Sequence, residues 1–324
     1  MTEDENDKAA AFAASRAKLL SLAYRMLGSR AEAEDIVQDA WLKWHCADTR
    51  DVRAPAGWLT TITTRLAIDR LRHLQMERAS CAGGWLPEPW LDDVAPSAEE
   101  VALRSVEISY GLLLLLERLT PDERAAFVLH EAFDCDYAEI AQIIDKSPVN
   151  CRQIVHRAKA RLRRAGEASR PVADPAAHAQ VVERLRAAIE AQDRAQLLRL
   201  FSVEPVVVTE AEAVDTAAVA TGAAIAAARW VDQVSALAAS PVAAEMVSIN
   251  GATGVALMRD GEITELLDLA IENGRITRLC VVSSMANLDA VNRAFGVCAV
   301  ERLLKPIRNY GAPAMHSAQP VTIC

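Results

Sequence analysis

Apolar residues recur at three- and four-residue intervals through the first half of the chain. Leu19, Leu22, Ala23, Met26 and Leu27 share one helical face. Gly28-Ser29-Arg30 breaks the pattern, and Ile36, Val37, Ala40, Trp41 and Trp44 resume it on a second helix. After a polar loop, Cys46–Ala56, a third helix runs from about Ala56 to Arg78 with Trp58, Leu59, Ile62, Leu66, Ile68 and Leu71. Helices resume at Ala98. Thr120-Pro121-Asp122-Glu123 is a strong start signal: Thr120 can cap, Pro121 suits the first turn, and Glu123 completes a capping box. Two further helices are predicted over Tyr137–Ile144 and Pro148–Arg164, around a turn at Asp145-Lys146-Ser147.

The period then changes. Helices fit His178–Ala191 and Arg194–Leu200, followed by strand-like runs at Pro205–Thr209, Ala243–Asn250, Thr253–Arg259, Ile263–Ile271 and Arg275–Ser283. Asn273-Gly274 between the last two is a hairpin signal. The expected architecture is multidomain: two all-α domains, residues 1–78 and 99–168, then an α+β domain, 176–304, and a loosely ordered tail, 305–324. The linker 79–98 contains Gly83-Gly84 and prolines, and has no helical period. Its core, Trp85-Leu86-Pro87-Glu88-Pro89-Trp90, is too apolar for a loose tether and is expected to dock on a domain surface.

Composition changes this picture little until it is divided by segment. The 324 residues are 52% hydrophobic and only 5% aromatic, which suits several globular domains rather than a disordered chain. Asp and Glu number 44 against 35 Lys and Arg, a formal charge of −9. Such a balance argues against a nucleic-acid partner only if it is even. It is not: Ser147–Ala165 holds Arg152, Arg157, Lys159, Arg161, Arg163 and Arg164 and no acid. Met1–Lys8 is acidic without an apolar core, so no secretory leader is expected. The weakly polar Ala217–Ala228 is too short for a membrane span. Seven scattered cysteines, none in a C-x-x-C pair, suggest reduced thiols in a cytoplasmic protein and no metal site.

The basic segment follows a short helix and a tight turn, the order of a helix-turn-helix whose second helix reads the major groove. Its early residues, Asn150, Arg152 and Gln153, are candidates for base edges, and its later basic residues for phosphates. A solvated basic face on a helix that merely packs on its neighbour is the plainer alternative. A second constellation, Trp58–Arg72, mixes an aromatic, hydroxyls and arginines in a manner suited to single-stranded DNA. Alone it also fits an ordinary amphipathic helix.

With Ala33–Leu42 ahead of these two segments, the chain resembles bacterial sigma factors of the extracytoplasmic-function class. Region 2 of that family looks like Leu19–Arg78, and region 4 like Leu113–Arg164. The resemblance implies two all-α sigma domains, core RNA polymerase and promoter DNA as partners, and no covalent chemistry. Glu34, Asp35, Gln38, Asp39 and Trp41 would bind polymerase. Arg50, Arg53, Trp58, Thr61, Thr64, Arg65 and Arg72 would hold the melted −10 element. Asn150, Arg152, Gln153, Arg157, Lys159 and Arg161 would read the −35 duplex.

The second half resembles the subgroup with a C-terminal SnoaL-like α+β cone. Trp85-Leu86-Pro87-Glu88-Pro89 and Asn150-Cys151-Arg152-Gln153 are similar to motifs of that subgroup, and Asn287-Leu288-Asp289-Ala290-Val291 to a degenerate form of another. The resemblance implies intramolecular regulation through Trp85, Leu86, Pro87, Glu88, Pro89, Asn287 and Asp289, without need of a separate anti-sigma factor. Two departures stand out. Thr209–Val214 lacks the D-G-G-G-K motif of the subgroup, and Asp145 stands where a glycine is usual. No catalytic residue, cofactor or metal is expected, nor a membrane partner; a small ligand in the C-terminal domain stays open. The rivals are a helix-turn-helix regulator with a ligand-sensing domain and a cyclase- or isomerase-like enzyme.

Overall fold

The computed structural model describes residues 3–50, 52–80, 85–91, 109–165, 174–209, 223–236, 243–289 and 291–293. Three helices form the first domain: α1 (Glu3–Leu27), α2 (Arg30–Cys46) and α3 (Pro55–Ser80). The apolar stripe of α1 meets Ile36, Val37 and Trp44 of α2 and Leu59, Ala67 and Leu71 of α3, all buried. Gly28 turns the corner from α1 to α2 at φ +68, a conformation that favours glycine.

The second domain holds α4 (Tyr110–Leu116), α5 (Pro121–Ala132), α6 (Tyr137–Ile144) and α7 (Pro148–Ala165). The capping box at Thr120 and Glu123 forms as expected, and Asp136 with Glu139 makes a second one at α6. Asp145 ends α6 in the left-handed conformation (φ 55, ψ 55), the role in which the subgroup uses glycine. The helical domains pack on each other, α1 and α3 against α5, and α3 against α6. At this seam Arg124 is fully buried, donating to the Arg25 carbonyl at 2.9 Å and to Glu117. Glu117 also accepts from Arg78 at 3.1 Å.

The C-terminal domain begins with α8 (Pro175–Glu190) and α9 (Arg194–Leu200). Five strands follow: β1 (Phe201–Thr209), then, after α10 (Ala223–Ala236), β2 (Ala243–Ile249), β3 (Ala252–Arg259), β4 (Glu262–Glu272) and β5 (Arg275–Val282). The sheet order is β1-β5-β4-β3-β2, with β1 parallel to β5 and the other pairs antiparallel. One sheet face, including Val255, Leu257, Leu267 and Leu279, packs with Val182, Leu185, Leu197 and Val231 of the helices. The opposite face, through Ala256, Leu266, Cys280 and Val282, joins the core of the two helical domains. A β-carbon at Gly111 on α4 would collide with the Arg278 guanidinium of β5, so helix and sheet meet closely there.

Two expectations need correction. β1 starts at Phe201, not Pro205, with an irregular register between Phe201 and Val206 around the proline, which has no N–H for the ladder. Helix α10 was not anticipated; its alanines hid a buried stripe of Ala227, Trp230, Val231 and Val234. The altered D-G-G-G-K position at 210–214, the helix start at Ala98 and the tail 305–324 lie outside the described residues.

Candidate nucleic-acid and polymerase interfaces

Helix α7 is amphipathic in the plain sense. Cys151, Ile154, Val155, Ala158 and Leu162 are buried against the rest of its domain. Asn150, Arg152, Gln153 and Arg157 are exposed on the opposite side. The Ser147 hydroxyl accepts from the Asn150 N–H at 3.2 Å and secures the first turn. Two of the later basic residues are held in ion pairs at the surface. Lys159 pairs with Glu131 at 2.7 Å, and Arg161 pairs with Glu123 at 2.8 Å. His156 was missed in the sequence reading; three residues after Gln153, it is exposed beside Arg157.

Helix α3 is arranged differently. Trp58 packs on Trp44 with ring centroids 5.2 Å apart. The Thr61 hydroxyl donates to the Gly57 carbonyl at 2.8 Å. Thr64 is fully buried and donates to the Thr60 carbonyl at 2.8 Å, so its expected role toward a DNA strand has no exposed surface behind it. Arg65 donates to the carbonyls of Ile143 (3.0 Å) and Gln142 (2.8 Å), at the C-terminal end of α6. Arg72 reaches Asp122 at 2.9 Å, which also receives Lys146 at 2.9 Å. Two of the candidate −10 arginines are therefore occupied by the second domain. Arg53 is exposed, and Arg50 is engaged by Asp48, whose carboxyl its hydrogen bonds hold well below the usual range.

Helix α2 presents Glu34, Asp35, Gln38 and Asp39 outward together with Leu42, which is 52% exposed. Trp41 is half-buried against Phe12, ring centroids 5.0 Å apart. Glu32, in the first turn of the helix, is bound by Arg70 at 2.6 Å, and that hydrogen bond lowers its pKa.

The linker segment 85–91 is a strap between all three domains. Trp85 lies under the Arg78 guanidinium, 3.2 Å from its ring centroid. A β-carbon at Gly28 would stand 2.8 Å from the Trp85 ring and 3.3 Å from Pro87, so glycine is required there for contact as well as for φ. Leu86, Pro87 and Pro89 are buried. The Pro87 carbonyl accepts from the Tyr110 hydroxyl at 2.8 Å, and the Leu86 carbonyl from Asn287 at 3.3 Å. Leu91 forms an antiparallel bridge with Ile249. Of the residues expected to take part, Asp289 alone stands apart, exposed, with its carbonyl accepting from Arg293.

The C-terminal domain buries charge of its own. Asp268 and Glu265 have carboxyl groups raised by burial, and His178 is bound through Nε2 to the Thr253 carbonyl at 2.9 Å. Among the described residues no group of His, Cys, Asp or Glu could hold a metal ion, and no helix is long and apolar enough to cross a membrane.

Comparison with known proteins fits this geometry. Residues 11–76 match the Sigma-70 region 2 family and residues 111–162 match Sigma-70 region 4. A probable ECF RNA polymerase sigma factor, SigI of Mycobacterium tuberculosis, is 33% identical over 294 residues, 89% of this chain and 97% of that relative. ECF RNA polymerase sigma factor SigJ of the same organism is 42% identical over 185 residues, 56% of this chain and 58% of SigJ. The crystal structure of SigJ superposes with a TM-score of 0.64 at 28% identity, over 86% of this chain and 97% of that one. That share is more than the helical domains can supply, so the likeness takes in the SnoaL-like C-terminal domain. The chain belongs to the ECF RNA polymerase sigma factors, and with that the enzyme reading falls away. Its sigma domains are those that bind core RNA polymerase and promoter DNA.

Proposed function

We propose that the protein directs core RNA polymerase to one class of promoter and that its own C-terminal domain modulates this activity. In this reading α2 binds polymerase through Glu34, Asp35, Gln38, Asp39 and Trp41. The outward face of α7 reads the −35 duplex through Asn150, Arg152, Gln153 and Arg157, with Lys159 and Arg161 toward phosphates. The melted −10 strand is held by Arg50, Arg53, Trp58, Thr61, Arg65 and Arg72. The free protein is a closed form, active only once the two sigma domains separate to span both promoter elements.

The observation that carries the closed form is Arg65, a candidate −10 residue donating to two carbonyls of the helix-turn-helix. The strap and the sheet face shared with the helical domains support a regulatory role for residues 176–304 that needs no separate anti-sigma factor. Action on the chromosome places the protein in the cytoplasm.

The test is run-off transcription with core polymerase on a promoter library, comparing the full chain with one lacking residues 176–324. Promoter-specific transcripts from the full chain, changed in yield by the truncation, are the expected result. Equal yields would remove the regulatory role. Duplex binding by the protein alone, with no transcript from the holoenzyme, would favour a helix-turn-helix regulator instead.

A further inference from the structure

Ser29 stands at the N-cap of α2, yet its side chain makes no capping bond. The first turn of a helix leaves N–H groups unpaired and carries partial positive charge. Here a carboxylate from the strap fills that place. Glu88 Oε2 accepts from the Arg30 N–H at 2.7 Å and from the Ser29 hydroxyl at 3.1 Å. The Glu88 backbone is fixed on both sides: its N–H donates to the Gly28 carbonyl at 2.7 Å, and its carbonyl accepts from the Tyr24 hydroxyl at 2.7 Å. Helix α2 thus borrows its cap from a residue nearly sixty positions away.

The strap in turn is gripped by the C-terminal domain. Asn250, in the β2–β3 turn, accepts from the Trp90 N–H through Oδ1 at 3.0 Å. Its own N–H donates to the Trp90 carbonyl at 2.8 Å, and its Nδ2 donates to the Tyr24 hydroxyl at 3.1 Å. The Trp90 ring lies under the Arg30 guanidinium, 4.6 Å from it, and Arg30 pairs with Glu34 at 2.9 Å. One unbroken set of contacts therefore runs from the turn of the regulatory domain to the start of the helix that carries the polymerase-facing acids.

We propose that Glu88 and Asn250 are positioning residues for polymerase binding. Glu88 caps α2, and Asn250 holds the strap in the register that delivers the cap. The C-terminal domain then supports the polymerase contact through α2 instead of blocking it. This rests on the assignment of α2 as the polymerase-binding helix.

The experiment is a titration of core RNA polymerase with fluorescently labelled full-length protein, with thermal unfolding of each variant alongside. Asn250→Gly keeps the left-handed turn (φ 50) without strain while removing the side-chain bonds to Trp90 and Tyr24. It is expected to weaken core binding about threefold, the scale of one or two lost hydrogen bonds. Glu88→Ala is expected to weaken it about fivefold, the scale of a lost helix cap. Glu88→Gln retains an acceptor and is expected to stay near the native affinity. The double variant Asn250→Gly with Glu88→Ala is expected to be no weaker than Glu88→Ala, because both act along one path.

If Glu88→Ala does not fold, Asn250→Gly and the rescue by Glu88→Gln carry the test. Native or tighter binding by Asn250→Gly, or losses that simply add, would overturn the proposal. A melting temperature that falls while the affinity of the folded protein stays native would reduce both residues to a structural role and overturn it too. Failure of the unmodified chain to bind core polymerase would instead overturn the assignment of α2.

Discussion

Helices α3 and α7 are both basic, amphipathic and expected to meet DNA, yet their basic residues are engaged in opposite ways. On α7 the polar residues of the first two turns, Asn150, Arg152 and Gln153, face outward, and Lys159 and Arg161 pair with acids of α5. On α3 the arginines are the residues drawn in: Arg65 caps the carbonyl end of α6 and Arg72 pairs with Asp122. The residues proposed to read the duplex are exposed, while two of those proposed for the melted strand, Arg65 and Arg72, are engaged by the helix-turn-helix domain. In the proposed reading, duplex recognition and strand capture are separable, because freeing Arg65 for a strand requires the sigma domains to part.

The strongest challenge to this contrast is to break what holds α3 against the second domain. Glu117→Ala removes the acceptor shared by Arg78 and the fully buried Arg124. It should cost about 3 kcal/mol of unfolding free energy, as a buried ion pair does when one partner goes, measured by urea unfolding. A loss near zero would mean that the seam does not depend on this network.

The next effect is on α7. Arg152→Ala should weaken holoenzyme binding to a −35 duplex by about thirtyfold and relax its sequence preference, the scale of one lost base contact. Lys159→Ala should do much less, since Glu131 already holds that ammonium. Equal losses from the two would erase the distinction between the two ends of the helix.

A smaller change sharpens the α3 side. Asp122→Ala removes one of the two carboxylates that hold Arg72, leaving Asp69 at 3.0 Å, and frees Lys146, without replacing any candidate DNA residue. It should raise the affinity of the free protein for a −10 single strand about threefold, since partly exposed ion pairs contribute modestly. Unchanged or weaker binding would argue that Arg72 is not restrained by its partner.

The smallest effect concerns the sheet that backs the helical domains. Asp268, beside Arg278, has its carboxyl raised by burial. Such a group is neutral in both states under acid conditions and costs stability as pH rises past its unfolded value, where the unfolded chain ionises first. Asp268→Asn should therefore raise the melting temperature at neutral pH and leave it unchanged below the ordinary carboxylate range. A gain that persists in acid would point to a cause other than ionisation.

Much of this was legible in the residues, for reasons that differ by element. The helix-turn-helix could be read because caps and turns are local chemistry: Thr120 with Glu123, and Asp145 in the left-handed turn, act within a few positions. The docking of the strap could be anticipated because six consecutive residues with two tryptophans and two prolines would not stay in water. The partners of Arg65 were invisible, since the main-chain carbonyls of Gln142 and Ile143 leave no mark on the sequence. So was the parallel pairing of β1 with β5, because strand patterns do not name their neighbours. Thr64 looked like an exposed hydroxyl among arginines, but a threonine satisfied by its own helix can be buried. Helix α10 was readable in principle from Trp230, Val231 and Val234, whose spacing was masked by alanine.

The strand order has a consequence in time. The edge strand β1 hydrogen-bonds only to β5, the last strand made, so the sheet closes only after Val282 has left the ribosome. Asn250 follows its partner Trp90 by 160 residues, on the order of ten seconds of synthesis. In the later part of that interval, once synthesis has passed Ala165, the nascent chain carries both sigma domains but not the turn that grips the strap. Each newly made molecule therefore passes through a stage in which its promoter-reading half exists without its control, and polymerase met at that stage would be met on different terms.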